Sequence, residues 1–180
     1  MSETTARHRA EAPEKVRVAV ITISDSKFEY LWTKNENLEE KEDISGKLIV
    51  EALRQAGHEV VFYTIVPDHA ELISGMVDHI IERYSPEAIV TTGGTGIGTR
   101  DVTLEALEPM YEKTLPGFGE LFRQLSFKEV GNAAMLTRAA CGVVSGVVVF
   151  SLPGSPNAVK VGVRLILSEL PHLAKHAGGG

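Results

Sequence analysis

The chain alternates between short, β-branched apolar runs and longer segments whose apolar residues recur with helical spacing. The short runs, which predict three strands covered on both faces, are residues 16–24, 60–66 and 88–91. The first apolar helical stripe starts at Ile44 and ends before Gly57, and a second follows Asp68. Strands that alternate with helices in this way indicate an α/β protein with a mostly parallel sheet.

Two short helices are predicted after the third strand. The first starts at Asp101 or Thr103 and ends near Tyr111, and the second opens at Pro116 and reaches about Lys128. Both lie between the parallel part of the predicted sheet and the segments that follow.

The last third of the chain predicts a hairpin and a long helix. Residues 136–144 and 147–152 are separated by a Ser-Gly turn, which is typical of two antiparallel strands. Ser155 as N-cap and Pro156 at the first helical position then begin the terminal helix. The expected fold class is therefore an α/β three-layer sandwich with a mostly parallel central sheet and a small antiparallel hairpin.

The ends of the chain and one internal stretch have the composition of loops. Residues 1–15 predict a flexible N-terminal tail without the apolar core of a signal peptide, and residues 177–180 predict a flexible C-terminal end, which leaves a single domain over residues 16–176. The polar residues 25–43 predict a long loop. Its apolar cluster, which we expect either to dock on a neighbouring subunit or to wall a pocket, consists of Phe28, Tyr30, Leu31 and Trp32.

Charge and composition exclude several classes of protein. The net charge of −6 over 180 residues argues against a nucleic-acid partner. No apolar segment approaches the length of a membrane span, so we expect no membrane partner. Cys141 is the only cysteine, which excludes an intrachain disulfide and suits the reducing cytoplasm. The apolar neighbours of Cys141 predict a small buried hydrophobe without chemistry.

A glycine-rich loop follows the third predicted strand and ends in a carboxylate. Glycines permit positive φ and leave the backbone N–H groups accessible, so these groups can converge on an anion. Asp101 would repel a bare phosphate, and its presence beside the loop favours polyphosphate with a divalent cation such as Mg²⁺. The alternative is a purely structural role, in which the loop is a tight turn and Asp101 is an ordinary helix N-cap. The loop residues expected to bind phosphate are Thr92, Gly93, Gly94, Thr95 and Gly96.

Other polar segments follow the remaining parallel strands. Because ligands bind beyond the carboxyl ends of such strands, we expect these segments to meet the glycine loop at one edge of the sheet. Asp68 has a complete structural alternative, since Asp68 and Glu71 have the spacing of a capping box. The segments are Ser24-Asp25 after the first strand, Asp68 after the second, and Pro153-Gly154-Ser155 after the last.

An ordered set of motifs, from about residue 16 to residue 174, resembles the MogA/MoaB family of molybdenum cofactor biosynthesis proteins. The glycine loop alone would be a moderate signal, whereas the ordered set is highly specific. The sequence around Phe118-Gly119-Glu120 is most similar to the MoaB branch. The motifs are residues 92–96 with 100–103, residues 116–120, Leu125-Ser126, Thr137-Arg138 and residues 152–156.

The resemblance implies Mg²⁺-dependent transfer of AMP from ATP to the terminal phosphate of molybdopterin, with release of pyrophosphate. Competent members carry an aspartate after the second strand, and Val66-Pro67-Asp68 retains it. The resemblance therefore assigns Asp68 and Asp101 as the catalytic, metal-organising carboxylates. The further positions assigned to nucleotide or substrate binding are Gly117, Gly119, Glu120 and Ser126.

Two other functions stay open at this point. One is a molybdopterin carrier or assembly protein that binds the pterin without adenylylating it, against which the retained Asp68 speaks. The other is the related domain of competence-damage and molybdate-insertion proteins. The resemblance also implies a homo-oligomer, either a trimer or a hexamer of two trimers, and contacts with other enzymes of the same pathway.

Overall fold

The computed structural model describes residues 15–33 and 42–179, without the side chains of Trp32 and Thr33. The strands are β1 (Arg17–Ile23), β2 (Glu59–Val66), β3 (Ala88–Thr92), β4 (Lys113–Thr114), β5 (Ala140–Val144) and β6 (Val147–Leu152). The helices are α1 (Asp25–Thr33), α2 (Ile44–Gln55), α3 (Ala70–Tyr84), α4 (Thr103–Leu107), α5 (Pro116–Val130) and α6 (Pro156–Ala177). Two 3₁₀ helices cover Glu108–Met110 and Gly131–Leu136.

One sheet of six strands in the order β2-β1-β3-β6-β5-β4 runs through the molecule. In this order β2, β1, β3 and β6 are parallel to one another, and β5 pairs antiparallel with both β6 and β4. In this register Val20 lies beside Val90, and Val90 lies beside Phe150. The carboxyl ends of β2, β1, β3 and β6 therefore meet at one edge, and the predicted fold class is confirmed.

Helices cover both faces of the sheet. Val18 and Val20 belong to the core beneath α2, α5 and α6, whereas Ala19 and Ile21 belong to the core beneath α3 and α4. This alternation follows from the two-residue period of a strand. Because both faces are buried, the strand reads as a continuous apolar run. Over the described residues, no helix combines the length and the apolar character needed to cross a membrane.

The prediction of a loop over residues 25–43 is wrong in its first part, where α1 is formed. The Oγ of Ser24 accepts a hydrogen bond from the N–H of Lys27 at 3.4 Å, and the Ser24 carbonyl accepts one from the N–H of Phe28 at 3.0 Å. A serine cap and an acidic first residue, Asp25, suit a helix N-terminus despite the polar composition. The rest of the predicted loop up to residue 41 lies outside the described residues.

The apolar stripe of α2 starts later than its sequence indicates, since Ile44 is 56% exposed. The start of this helix instead packs on a buried polar group. Asp43 accepts hydrogen bonds from the Gly46 N–H at 3.0 Å and from the Tyr63 hydroxyl at 2.5 Å. A Cβ at Gly46 would lie 2.4 Å from Thr22 Oγ1. The glycine therefore lets the helix approach the ends of β1 and β2.

Several element boundaries differ from those predicted. The first hairpin strand begins at Ala140 rather than at residue 136, because Gly131–Leu136 forms a 3₁₀ helix. Strand β4 is too short to leave a sequence signal. The terminal helix includes Ala177, one residue into the predicted C-terminal end, and residues 1–14 and 180 are outside the described parts of the chain.

His58 generates a prediction about the pH dependence of stability. It is 7% exposed, and its Nδ1 accepts a hydrogen bond from the Val16 N–H at 3.3 Å. Burial lowers the pKa of His58 below its ordinary value, and Glu87 partly opposes the shift. The unfolded chain therefore binds more protons than the folded chain as the pH falls through this range.

The free energy of unfolding should be highest above the ordinary histidine pKa and should decrease below it, by at most about 1.4 kcal/mol per pH unit from this one group. Urea unfolding between about pH 7.5 and pH 5.5 measures the slope. A His58→Asn variant, which retains an acceptor but does not titrate in this range, should give a smaller slope. Equal slopes for the two proteins would contradict the assignment.

Geometry of the candidate active site

The glycine loop leaves β3 at a very close contact between three strand ends. The Gly93 N–H donates to the Leu152 carbonyl at 3.0 Å, and the Thr92 hydroxyl donates to the Pro153 carbonyl at 3.0 Å. Gly93 has a φ of +103°, and a Cβ there would lie 2.2 Å from the Ile23 carbonyl oxygen. Only glycine fits this position. A Cβ at Gly154 would lie 3.3 Å from the Gly93 Cα, so the segment after β6 lies against the loop as predicted.

Asp68 contacts the glycine loop at Gly94. Gly94 has a φ of +61°, and a Cβ there would lie 2.8 Å from Asp68 Oδ1. Thr103 holds the loop from the other side, because its hydroxyl donates to the Gly93 carbonyl at 2.8 Å and its N–H donates to the Gly94 carbonyl at 2.9 Å. Three chain segments thus surround Gly94 at contact distance.

Asp25 and Asp68 hold each other through reciprocal hydrogen bonds. The Asp25 N–H donates to Asp68 Oδ2 at 3.0 Å, and the Asp68 N–H donates to Asp25 Oδ1 at 2.8 Å. The capping-box alternative for Asp68 is therefore wrong. Helix α3 begins at Ala70 with His69 as its N-cap, and the Asp68 carboxylate bonds to the first residue of α1 instead.

The surroundings of Asp68 raise the pKa of its carboxyl above the ordinary value of an aspartate. Burial, as the largest cause, raises the pKa of Asp68, and the nearby carboxylates of Asp25 and Asp101 add to the shift. The hydrogen bond from Asp25 and the charge of Arg100 oppose it. Arg100 Nη1 lies 3.2 Å from Asp25 Oδ2, on a side chain that is 81% exposed. A cation bound beside Asp68 would stabilise the ionised carboxylate.

Asp101 folds back into the glycine loop rather than capping a helix. Its Oδ2 accepts a hydrogen bond from the Gly98 N–H at 2.8 Å, and its own N–H donates to the Gly98 carbonyl at 3.0 Å. A Cβ at Gly96 would lie 2.6 Å from the same Oδ2. Helix α4 begins at Thr103 with Val102 as its N-cap, so the N-cap alternative for Asp101 is wrong.

Two cavities meet at Asp101, which lines both of them. The first has a volume of about 300 Å³, and the second has a volume of about 380 Å³. The first is lined by Asp68, Gly98, Thr99, Arg100 and Asp101. The second is lined by Gly93, Gly94, Thr95, Gly96, Asp101, Leu136, Thr137, Arg138, Pro153 and Gly154.

Some of the predicted binding residues lie at the border of this site or away from it. Ser24 precedes α1, and Ser155 caps α6 by accepting from the Ala158 N–H at 3.3 Å. The other four residues are on α5, and the described linings of the two cavities do not include them. Gly119 and Ser126 are buried there, whereas Gly117 and Glu120 are exposed. Their role in binding stays a prediction.

Two arginines of the site were not among the predicted site residues. Arg100 lines the first cavity and Arg138 lines the second. Each had a sequence signal, since Arg100 directly precedes Asp101 and Arg138 is part of a family motif. A site for anions in a chain of net charge −6 needs local cations, and that requirement, together with the place of both arginines in the motifs, points to them.

The oxygen ligands at this edge of the sheet fit a Mg²⁺ ion that is also bound by substrate phosphates. Over the described residues, no group of three or more His, Cys, Asp or Glu side chains is arranged to hold a metal ion. Mg²⁺ is commonly bound by one or two carboxylates together with substrate phosphates and water. Asp68 and Asp101, both lining the first cavity, are such a pair of oxygen ligands. The residues therefore fit a Mg²⁺ ion that arrives with a phosphorylated substrate.

Comparisons with known proteins show the family of this chain. The profile of a family described as a probable molybdopterin binding domain matches residues 19–173. Molybdopterin adenylyltransferase of Pyrococcus furiosus is 46% identical over 175 residues, which are 94% of this chain and 96% of that protein. Molybdenum cofactor biosynthesis protein B of Bacillus subtilis is 42% identical over 170 residues, which are 93% and 94% of the two chains.

Solved structures show the same relationship. The crystal structure of the tungsten cofactor synthesizing protein MoaB from Pyrococcus furiosus matches with a TM-score of 0.81 at 45% identity, covering 93% of this chain and 99% of that one. A structure of MogA shares the fold, with a TM-score of 0.77 at 24% identity. The chain belongs to the MogA/MoaB family of molybdenum cofactor biosynthesis proteins.

The close contact at Gly93 generates a prediction about stability. A Gly93→Ala substitution should lower the free energy of unfolding by about 2 kcal/mol or more, because a Cβ would collide with a backbone carbonyl at a positive φ. Gly117→Ala is the matched control, since a Cβ there meets no atom of the described residues within 4 Å. Urea unfolding of both variants measures the difference. A Gly93→Ala protein as stable as the control would disprove the contact.

Proposed function

We propose that this protein transfers AMP from ATP to the terminal phosphate of molybdopterin, forming adenylyl-molybdopterin and pyrophosphate. The observation that carries this proposal is Asp101, which lines two adjoining cavities beside a glycine loop. Two cavities with one shared carboxylate suit a reaction that brings together two phosphate-bearing substrates. The name of the Pyrococcus furiosus relative, molybdopterin adenylyltransferase, supports the same activity, and the name of the Bacillus subtilis relative supports the same pathway.

The glycine loop supplies the hydrogen-bond donors for this reaction. The α-phosphate of ATP is attacked by an oxygen of the molybdopterin phosphate, a new P–O–P bond forms, and the bond to pyrophosphate breaks. Both reactants are anions, so catalysis depends on positioning and on donors that are already oriented. The close contacts at Gly93 and Gly94 fix the loop before any substrate binds.

Asp68 and Asp101 would hold Mg²⁺ together with the phosphates of ATP. The ion would offset the repulsion between the two phosphates and stabilise the charge on the departing pyrophosphate. Asp25 keeps the Asp68 carboxylate in place through its backbone N–H. No strong general base is needed, because a phosphate monoester is already largely ionised near neutral pH.

Asp101→Ala should reduce ATP-dependent pyrophosphate release by roughly a hundredfold or more, since the shared carboxylate would be lost. Asp68→Ala should also lose most activity. Asp78→Ala, at an exposed aspartate of α3, is the matched control and should keep wild-type activity. Circular dichroism and thermal unfolding check that all three variants are folded. Near wild-type turnover in Asp101→Ala would refute the assignment.

The same assay separates the enzyme from a pterin-binding protein without transferase activity. We expect the wild-type protein to release pyrophosphate only when ATP, Mg²⁺ and molybdopterin are all present. Tight binding of molybdopterin without any pyrophosphate release would favour the carrier. Retention of Asp68 and its placement at the first cavity support the enzyme.

We further propose a cyclic trimer, or a hexamer of two trimers, to which α1 contributes a contact. Leu31 on α1 is 55% exposed, which a subunit contact would cover. Light scattering at micromolar concentration should give the mass of three or six chains. Leu31→Glu should lower that mass, whereas Leu72→Glu, at a comparably exposed position of α3, should not. A monomer mass for the wild-type protein would refute the proposal.

A further inference from the structure

Arg138 ties both ends of the glycine loop to one side chain. Its Nε donates to the Thr95 carbonyl at 3.0 Å, near the start of the loop, and its Nη2 lies 3.4 Å from the Asp101 carbonyl at the end. Its two Nη atoms also contact the Glu105 carboxylate, at 2.5 and 3.2 Å. Glu105 in turn belongs to α4, the helix that follows the loop. One planar guanidinium therefore spans the loop and the element behind it.

The charge of Arg138 is already paired. Glu105 accepts hydrogen bonds from the guanidinium through both carboxylate oxygens, an arrangement that satisfies the geometry of both ions. A cation paired in this way attracts a substrate phosphate less than an unpaired one. Arg100 pairs with Asp25, at 3.2 Å from Nη1 to Oδ2, but its side chain is 81% exposed at the neighbouring cavity and is therefore more accessible to an anion.

The loop itself has little intrinsic rigidity. Four of the six residues from Gly93 to Gly98 are glycines, which have the widest choice of backbone conformations. A loop that presents backbone N–H groups to a phosphate works best when those groups are oriented before the substrate arrives. A contact from outside the loop is the means by which a glycine-rich segment acquires that order.

We propose that Arg138 and Glu105 form a clamp that fixes the glycine loop in its phosphate-binding conformation, with Arg138 as a positioning residue rather than a phosphate ligand. The proposal rests on the adenylyl transfer proposed above. It follows from the bond pattern, because the guanidinium contacts the Thr95 and Asp101 carbonyls and the Glu105 carboxylate together. A lysine at this position would keep the charge but lose the planar fork.

A double-mutant cycle tests the clamp, using Arg138→Lys, Glu105→Gln and the double variant. Each single variant should lower kcat for pyrophosphate release by roughly ten- to a hundredfold, since small displacements of a reacting group have effects of this size. The KM for ATP should change much less. The double variant should be no worse than either single variant, because both changes open the same clamp.

Hydrogen exchange provides a second readout that does not depend on turnover. The peptide covering residues 95–101 should exchange faster in both single variants than in the wild-type protein. The matched control is the exposed pair of Arg164 and Glu129, whose closest N···O distance is 3.7 Å. Arg164→Lys and Glu129→Gln should change neither kcat nor the exchange of residues 95–101.

The following kinetic and exchange results would contradict the proposed clamp. If Arg138 binds phosphate directly, Glu105→Gln should leave activity unchanged or raise it, and Arg138→Lys should act mainly on KM. Unchanged exchange of residues 95–101 in both single variants would also refute it. If Arg138→Lys fails to fold, the nearly isosteric Glu105→Gln carries the test alone. If the wild-type protein releases no pyrophosphate, the proposed function fails, while the exchange measurement still decides whether the clamp exists.

Discussion

The approach of three backbone segments at Gly93 is the contact on which the site depends. The end of β3 lies so close to the Ile23 carbonyl and to Gly154 that no side chain fits between them. This packing is possible because β1, β3 and β6 are parallel and end at the same edge of the sheet. A few hydrogen bonds, from Gly93 to Leu152 and from Thr103 to the loop carbonyls, then hold the loop against that edge. Asp68, which follows β2, reaches the loop at Gly94 because β2 is parallel to β1 and ends at the same edge of the sheet.

In the proposed reaction, the charges of the site would make the binding of the substrate and of the cation depend on each other. Asp25, Asp68 and Asp101 place three carboxylates near two arginines, of which Arg100 is paired with Asp25 and Arg138 with Glu105. Phosphates alone would meet repulsion here, and a cation alone would find few ligands. An ion that arrives with its phosphates satisfies both sets of groups. Burial raises the pKa of Asp68, which is consistent with a carboxylate that is completed by a bound cation.

The local sequence pattern was sufficient to predict those elements that depend on residues close together in the chain. The apolar runs placed β1, β2 and β3 within a residue or two, and Ser155 with Pro156 marked the start of α6 correctly. The same local signals left a helix-cap alternative open at Asp68 and Asp101, and the structure excludes it at both positions. The Asp68 carboxylate bonds to the start of α1, and the Asp101 carboxylate bonds to the glycine loop. The helix over residues 25–33 was missed because its polar composition resembles that of a loop.

The sequence by itself determined the fold class and located the glycine loop, since these follow from residue periodicity and from motifs that are contiguous along the chain, and the family resemblance singled out Asp68 and Asp101 as candidates. Only the tertiary structure decided that Asp25 holds Asp68, which is 43 residues away, and that Arg138 holds Thr95, also 43 residues away. Contacts of this kind leave no local pattern, because they depend on which strand ends lie side by side. The strand order β2-β1-β3-β6 makes that choice, because it places side by side strand ends that are far apart along the chain.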